Sequence, residues 1–168
     1  MELFKITTSD HLRHLWLYIL VMICLPFIIF FILLYKKGLF EPNTALLVGS
    51  VFFLAYSIPI LSLHLNYYFR NRNDVFKYDK STGQAIYQNG KKEIKFNVKD
   101  VVKIKVYKSW PLSRNGKPVF AWDYYNHSVI ELKDGQIIKL SSLLVFELDK
   151  VVKFDNTEIK KTLFAWMR

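Results

Sequence analysis

Histidine has the widest chemical range of any side chain in this sequence, and three of its four copies fall at related places. His11 and His14 lie one helical turn apart, and His64 stands near the far end of the next apolar segment. If those segments fold as a hairpin, all three reach one end of it, and imidazole clusters are transition-metal ligands in kind. No Asp or Glu lies at helical spacing within the apolar segments to complete such a set. No metal is therefore expected; His64 is read as a polar contact between helices, with exposure to lipid headgroups as the competing reading. Asp123, His127 and Ser128 carry the residue types of a hydrolytic triad, but a triad is defined by geometry that near-adjacency does not supply. The sequence has no glycine-rich phosphate loop, nucleophile elbow or His-Glu zinc motif. A non-enzymatic protein without a cofactor is the expectation. The single cysteine, Cys24, excludes an intramolecular disulfide and a cysteine-cluster zinc site.

The second chemical feature is charge. Residues 91–117 hold nine basic side chains against two acidic ones, Glu93 and Asp100. Lys91, Lys95, Lys103, Lys105, Lys108, Arg114 and Lys117 are the candidates for contact with an anionic lipid or an acidic partner. Each basic residue near an anionic bilayer contributes about 1 kcal/mol. Solvated lysines that keep a strand edge from pairing are the competing reading. Nucleic acid is not expected as a partner, because no recognised binding motif accompanies the charge.

The 168 residues divide into an oily part and a basic part. Residues 1–70 carry five basic and three acidic side chains, whereas residues 71–168 carry nineteen and eleven. Leu15 to Leu34 is twenty residues without a charge, which as a helix spans roughly 30 Å, the thickness of a bilayer core. Bulky Phe30, Phe31, Leu33 and Leu34 run into Lys36 and Lys37 with no small-residue cleavage site, so a retained anchor is read rather than a signal peptide. A second apolar stretch follows the short link KKGLFEPN. The spans are placed at about 15–35 and 44–66, within a transmembrane hairpin over 15–69 that follows an N-terminal segment, 1–14. Tyr67, Tyr68, Arg70 and Arg72 are expected at the membrane interface, with Trp110 as a second contact from the basic part. Ala45 and Gly49 are expected to pack the hairpin, together with His64. Six basic residues flank the terminal ends of the spans and two sit in the link, which places both termini and the basic domain in the cytoplasm.

From Asp74 the pattern becomes period-two alternation punctuated by turns, which marks strands. The runs are 75–79, 84–87, 92–98, 101–106, 128–132 and 136–140. Keeping apolar residues on one face predicts three-residue loops at Gln88-Asn89-Gly90 and Lys133-Asp134-Gly135, with left-handed glycines. Ile86 then shares a face with Ile94 and Phe96, and Ile130 pairs with Ile138. Val98, Val102, Ile104 and Val106 also point inward. Residues 143–168 are read as one interrupted helix or two in tandem, with Phe146, Val151, Phe154, Ile159, Leu163 and Trp166 inward.

Two apolar helices, about seven short strands and a terminal helix resemble the bacterial pleckstrin-homology-like membrane proteins. The resemblance is carried by KEIKFNVKDVVKIKV, a strand bending at Lys99-Asp100 into the next, and by SVIELKDGQIIKLSSLL. It implies a mainly-β domain over 70–168: two packed antiparallel sheets, or a partly open barrel, closed by a C-terminal helix. It also implies binding or scaffolding rather than catalysis. In relatives of that fold an extended first loop of lysines and arginines clasps a lipid headgroup, and Gln88-Asn89-Gly90, with only Lys91 and Lys92 nearby, is too tight for that role. The functional expectation is an inner-membrane binding protein whose basic domain engages anionic headgroups or a protein at the membrane face. The alternative is a small accessory or immunity-type subunit that packs its hairpin into a larger membrane complex, and a homo-oligomer fits either reading.

Overall fold

The structure is a computed structural model that describes residues 1–35, 42–90, 92–114 and 116–167. Two long helices, α1 (Thr8–Tyr35) and α2 (Pro42–Asn71), stand on a two-sheet β domain. Thr7 and Asp10 set the start of α1: the Thr7 backbone N–H and hydroxyl both donate to the Asp10 carboxylate, at 2.9 and 2.6 Å. Each helix is long and apolar enough to cross a membrane.

The first sheet holds β1 (Glu2–Lys5), β2 (Asp74–Asp79), β3 (Gln84–Asn89) and β4 (Lys92–Asn97) in that order, all antiparallel. Residues 2–5, read from sequence as part of an N-terminal segment separate from the β domain, are thus its edge strand. The helical pair is inserted between two hydrogen-bonded neighbours, β1 and β2. A turn of 3-10 helix at Val98–Asp100, capped by Asn97, carries the chain into the second sheet. That sheet has the order β7 (Ile137–Ser141), β6 (His127–Leu132), β5 (Val101–Lys108), β8 (Thr157–Lys161), with β8 parallel to β5. Inner faces of both sheets form one core, including Phe76, Tyr87, Phe96, Ile104, Ile130 and Leu140.

Three sequence expectations fail, each for a local reason. Asn89 pairs with Lys92 and Tyr87 with Ile94, so the loop at 88–90 is not the three-residue form and Ile86 faces outward opposite Lys95. Tyr87 takes the inner position because its hydroxyl donates to the buried Asp74 carboxylate at 2.7 Å. Val102 is half exposed because the register slips between Val101 and Lys103, and the bulge turns Val102 out. The C-terminal helix is absent among the described residues: α4 (Leu148–Val151) is a single turn, and β8 follows. An open β5 edge would leave buried backbone groups unpaired. Ile104 N–H donates to Asn156 O and Thr162 N–H to Lys108 O, which closes that edge. Ile159, Leu163 and Trp166, expected inward, are 45%, 68% and 41% exposed. The other loop follows the apolar face: Ile130 pairs with Ile138, and Gly135 has φ +81°.

Ile104 is fully buried between the sheets, so Ile104→Ala is expected to cost about 2–5 kcal/mol of unfolding free energy. Val102→Ala should stay within about 0.5 kcal/mol. Denaturant unfolding of the full chain in detergent compares the two, and equal losses would place Val102 in the core after all.

Candidate functional site

The lower ends of α1 and α2 are built into the β domain. Ile60, Leu63 and Tyr67 of α2 pack with Ala121, Tyr125, Leu143 and Met167 in a second buried cluster. A buried polar seam crosses the same interface. His14 Nδ1 meets the Asp10 carbonyl and its Nε2 meets Ser142 Oγ, both at 2.8 Å. His11 Nδ1 and His64 Nε2 lie 2.8 Å apart, and the other nitrogen of His64 meets the Tyr125 hydroxyl at 2.9 Å. Tyr67 OH donates to the Ala165 carbonyl. Asn71 accepts from Ser141 N–H at 2.8 Å and donates to the Lys139 carbonyl at 3.1 Å. A polar group buried without such partners costs about 1–3 kcal/mol. The seam therefore specifies one orientation of helices on sheet.

Aromatic rings continue upward from the seam. Phe120 stacks on Trp122 (centroids 4.6 Å apart), Trp122 touches Tyr56 (5.6 Å), and Tyr56 lies between Tyr18 and Phe52 (both 6.3 Å). Trp16 and Tyr124 meet edge-on at 6.3 Å. Beyond these rings the helices present exposed apolar side chains, with Phe27, Phe31, Leu47 and Val51 all above 60% accessible. Gly49 sits against α1: a Cβ there would come within 2.9 Å of Ile29 Cδ1. The side chain of Ala45 lies outside the described residues.

The expected interface residues separate. Tyr67 is fully buried in the seam rather than interfacial. Tyr68 is half-buried with its ring 5.4 Å from His11. Arg70 and Arg72 are exposed, Arg72 lying over the Phe69 ring. Trp110 is 56% exposed, with the Arg114 guanidinium 3.6 Å above its ring. It opens the short helix α3 (Trp110–Ser113) and lines a largely apolar cavity of about 520 Å³ with Val119, Phe120 and Leu163.

The expected basic surface does not hold together as one patch either. Lys91 lies outside the described residues. Lys95 pairs with Glu93 at 3.0 Å on the first sheet. Lys103 pairs with Glu158 at 2.7 Å and Lys105 with Glu131 on the outer face of the second. Those bonds hold the Glu158 carboxyl below its ordinary value and raise the Lys105 ammonium. Lys108 is the clear correction: it is 1% exposed, bonded to Asp149 at 2.8 Å and to Glu147 at 3.4 Å. The sequence reading placed it on the binding surface, and only the tertiary structure supplied the two carboxylates that make its burial tolerable. Lys117 is exposed beside Arg114 in the chain.

Among the described residues no hydrogen bond links Asp123, His127 and Ser128. Asp123 accepts from the Val119 and Phe120 backbone N–H groups at 3.0 and 2.8 Å. His127 Nδ1 meets the Ala165 carbonyl at 3.0 Å. Burial lowers the His127 ring to about 4 from its ordinary 6.5; the Ala165 bond opposes this and the Lys139 ammonium adds to it. The role of Ser142 and Tyr125 was missed from sequence, since neither spacing nor type marks a seam contact.

Residues 3–153 match the family model described as a PH domain, and the chain belongs to that family. The match begins at β1 and runs through the helical pair, in agreement with the pairing of β1 and β2. PH domains commonly bind lipids or proteins. No match was found among curated proteins or among solved structures.

Lys108→Ala leaves Asp149 without its cation and Glu147 with Lys150 alone, at 2.8 Å, and should destabilise the chain by about 3–5 kcal/mol. Lys95→Ala, at an exposed pair, should change it by less than about 1 kcal/mol. Equal effects in thermal unfolding would refute the buried role. For His127 the unfolded ring binds its proton near 6.5 and the folded ring only near 4. Its contribution is therefore intact above pH 6.5 and falls by on the order of 3 kcal/mol as pH drops from 6.5 to 4. The acid limb of the stability–pH curve should flatten by that amount in His127→Gln, and an unchanged limb would show that the ring is not held neutral.

Proposed function

We propose that this is a non-enzymatic binding protein of a bacterial inner membrane, with the helical hairpin in the bilayer and both termini and the β domain in the cytoplasm. The observation that carries the reading is the change along the two helices. At their lower ends one face is buried in the β domain while Leu12, Leu65 and Phe69 stay exposed, and above the aromatic rings large apolar side chains such as Phe27, Phe31, Leu47 and Val51 are exposed. Each large apolar side chain left in water forgoes about 1.5–3 kcal/mol of burial, and a bilayer supplies that burial. The rings of Trp16, Tyr18, Tyr56 and Trp122 gather at this change, as aromatic side chains do at a membrane interface.

The rim formed by Trp110, Val119, Phe120 and Leu163 is the part of the β domain suited to the headgroup zone. Its four apolar side chains are each at least 48% exposed. Arg114 and Lys117 sit on the same connection, in reach of lipid phosphates. The ligand class is thus anionic lipid, engaged at this rim rather than across the paired lysines of the sheets. A subunit that packs its hairpin into a larger complex needs a helix face open to a partner, and the small-residue face at Gly49 lies against Ile29 of the same chain.

Backbone hydrogen exchange of the full chain in nanodiscs tests the proposal. Residues 109–124 should exchange more slowly in phosphatidylglycerol discs than in phosphatidylcholine discs. Two basic residues at about 1 kcal/mol each predict a difference of about 30-fold, lost in R114A/K117A. Equal exchange in the two lipids would end the anionic-lipid reading.

A further inference from the structure

One face of α2 is apolar, regular and uncovered. Leu47, Val51, Leu54, Ile58, Leu61 and Leu65 follow one another at alternating spacings of four and three residues. That alternation keeps every member on one side of the helix and is the repeat of a coiled-coil seam. All six, and Phe69 one turn further on, are between 42% and 66% exposed. From Leu47 to Phe69 the sequence has no Asp, Glu, Lys or Arg, so a second such face would meet it without like charges. Ile60, Leu63 and Tyr67, which dock on the β domain, lie on the far side of α2. Gly49 and His64, which meet Ile29 and His11 of α1, lie off the stripe as well.

A bilayer covers only part of this face. Tyr56 belongs to the aromatic rings at which the helices change character. Leu65 and Phe69 stand nine and thirteen residues further along α2, roughly 13 and 20 Å below Tyr56 at about 1.5 Å per residue. The headgroup zone is only about 5–8 Å deep on each side of the hydrocarbon core, so both side chains reach past it into water. Among acyl tails an apolar side chain gains nothing by leaving the lipid, and helices there associate by packing. Below the headgroups the hydrophobic effect itself favours covering the stripe. The partner must therefore be apolar in water and continue as a packing surface into the bilayer, and another copy of α2 does both.

The repeat also specifies the number of strands. Val51, Ile58 and Leu65 each precede a three-residue step, and Leu47, Leu54 and Leu61 each precede a four-residue step. β-Branched residues at the first set with leucine at the second favour two parallel strands, and two of the three residues in the first set are β-branched. Copies of one chain enter a bilayer in the same orientation, so their α2 helices run parallel; this alignment rests on the hairpin reading above. At about 200 Å² for a large side chain, the six residues and Phe69 offer on the order of 700 Å² per copy, close to the roughly 800 Å² per partner of a standard interface. We propose that two copies of this chain pair through this face of α2, parallel and symmetric, with their β domains on the two outer sides.

The test uses the full chain in vesicles of phosphatidylcholine and phosphatidylglycerol, with the lone Cys24 replaced by alanine so that one introduced cysteine reports. L54C, L61C and L65C should oxidise to disulfide-linked dimers at least fivefold faster than F53C, which is exposed at the same depth as Leu54 but on another face. Single-molecule bleaching of the labelled chain at low protein-to-lipid ratio should count two copies. L61E/L65E should weaken the association at least tenfold, against less than twofold for K95E. One copy per particle, equal cross-linking at F53C, unchanged association in L61E/L65E, or capture of a different chain at L65C in native membranes would overturn the proposal. The cross-links do not depend on the charged variant, so its misfolding leaves the test intact. Retention of the chain in carbonate-washed vesicles reads the hairpin by itself. A chain that washes off yet cross-links at L61C and L65C keeps the seam and loses the hairpin, and a retained chain without those cross-links does the reverse.

Discussion

His14 reaches across from α1 to Ser142, and His64 from α2 to Tyr125, inside an interface where water is excluded. The whole arrangement depends on this seam. A purely apolar contact between helices and sheet would tolerate sliding and rotation, because burial has no direction. Hydrogen bonds from ring nitrogens at 2.8–2.9 Å do have direction, and a shifted helix would strand them in a dry site. Tyr67 and Asn71 extend the constraint along α2 to the chain after β8 and to β7. The β domain is thus a fixed footing of the helices, not a globule on a tether.

That footing follows from topology. The helices leave the sheet after β1 and return to it at β2, so both strands hold the ends of the inserted segment in register. In the PH domain fold seen here, the connection between the first two strands is the helical pair itself. The turn at 88–90, compared from sequence with an extended first loop, is the connection between β3 and β4.

Charge is organised by the same burial. A count of lysines suggests one broad basic surface, but the fold sorts them into separate tasks. Lys108 pairs with Asp149 and, together with Lys150, with Glu147 inside the protein, and Glu147 holds a left-handed φ of +50° there. Lys95, Lys103 and Lys105 are taken by surface acids. Arg114 and Lys117, both exposed, stand instead at the rim beside Trp110.

The sequence alone determined the two apolar helices, the strand alternation and the loop at Gly135, because each is a local periodicity matched to one buried face. It also contained the family resemblance in its order of elements. It misplaced Ile86 and Tyr87 because hydrophobicity ranks isoleucine above tyrosine, and only the tertiary structure brings Asp74 within reach of the phenol. It made a helix of the C-terminal stretch because Ile159, Leu163 and Trp166 have helical spacing, whereas the open edge of β5 demanded a strand. Strand β1 is four residues long and separated from its partner by the helical pair, so no local pattern announces it. Residues such as Ser142, Tyr125 and Lys108 acquire their roles from partners more than 35 positions away. Such pairings depend on how the chain returns on itself, and periodicity carries no record of that.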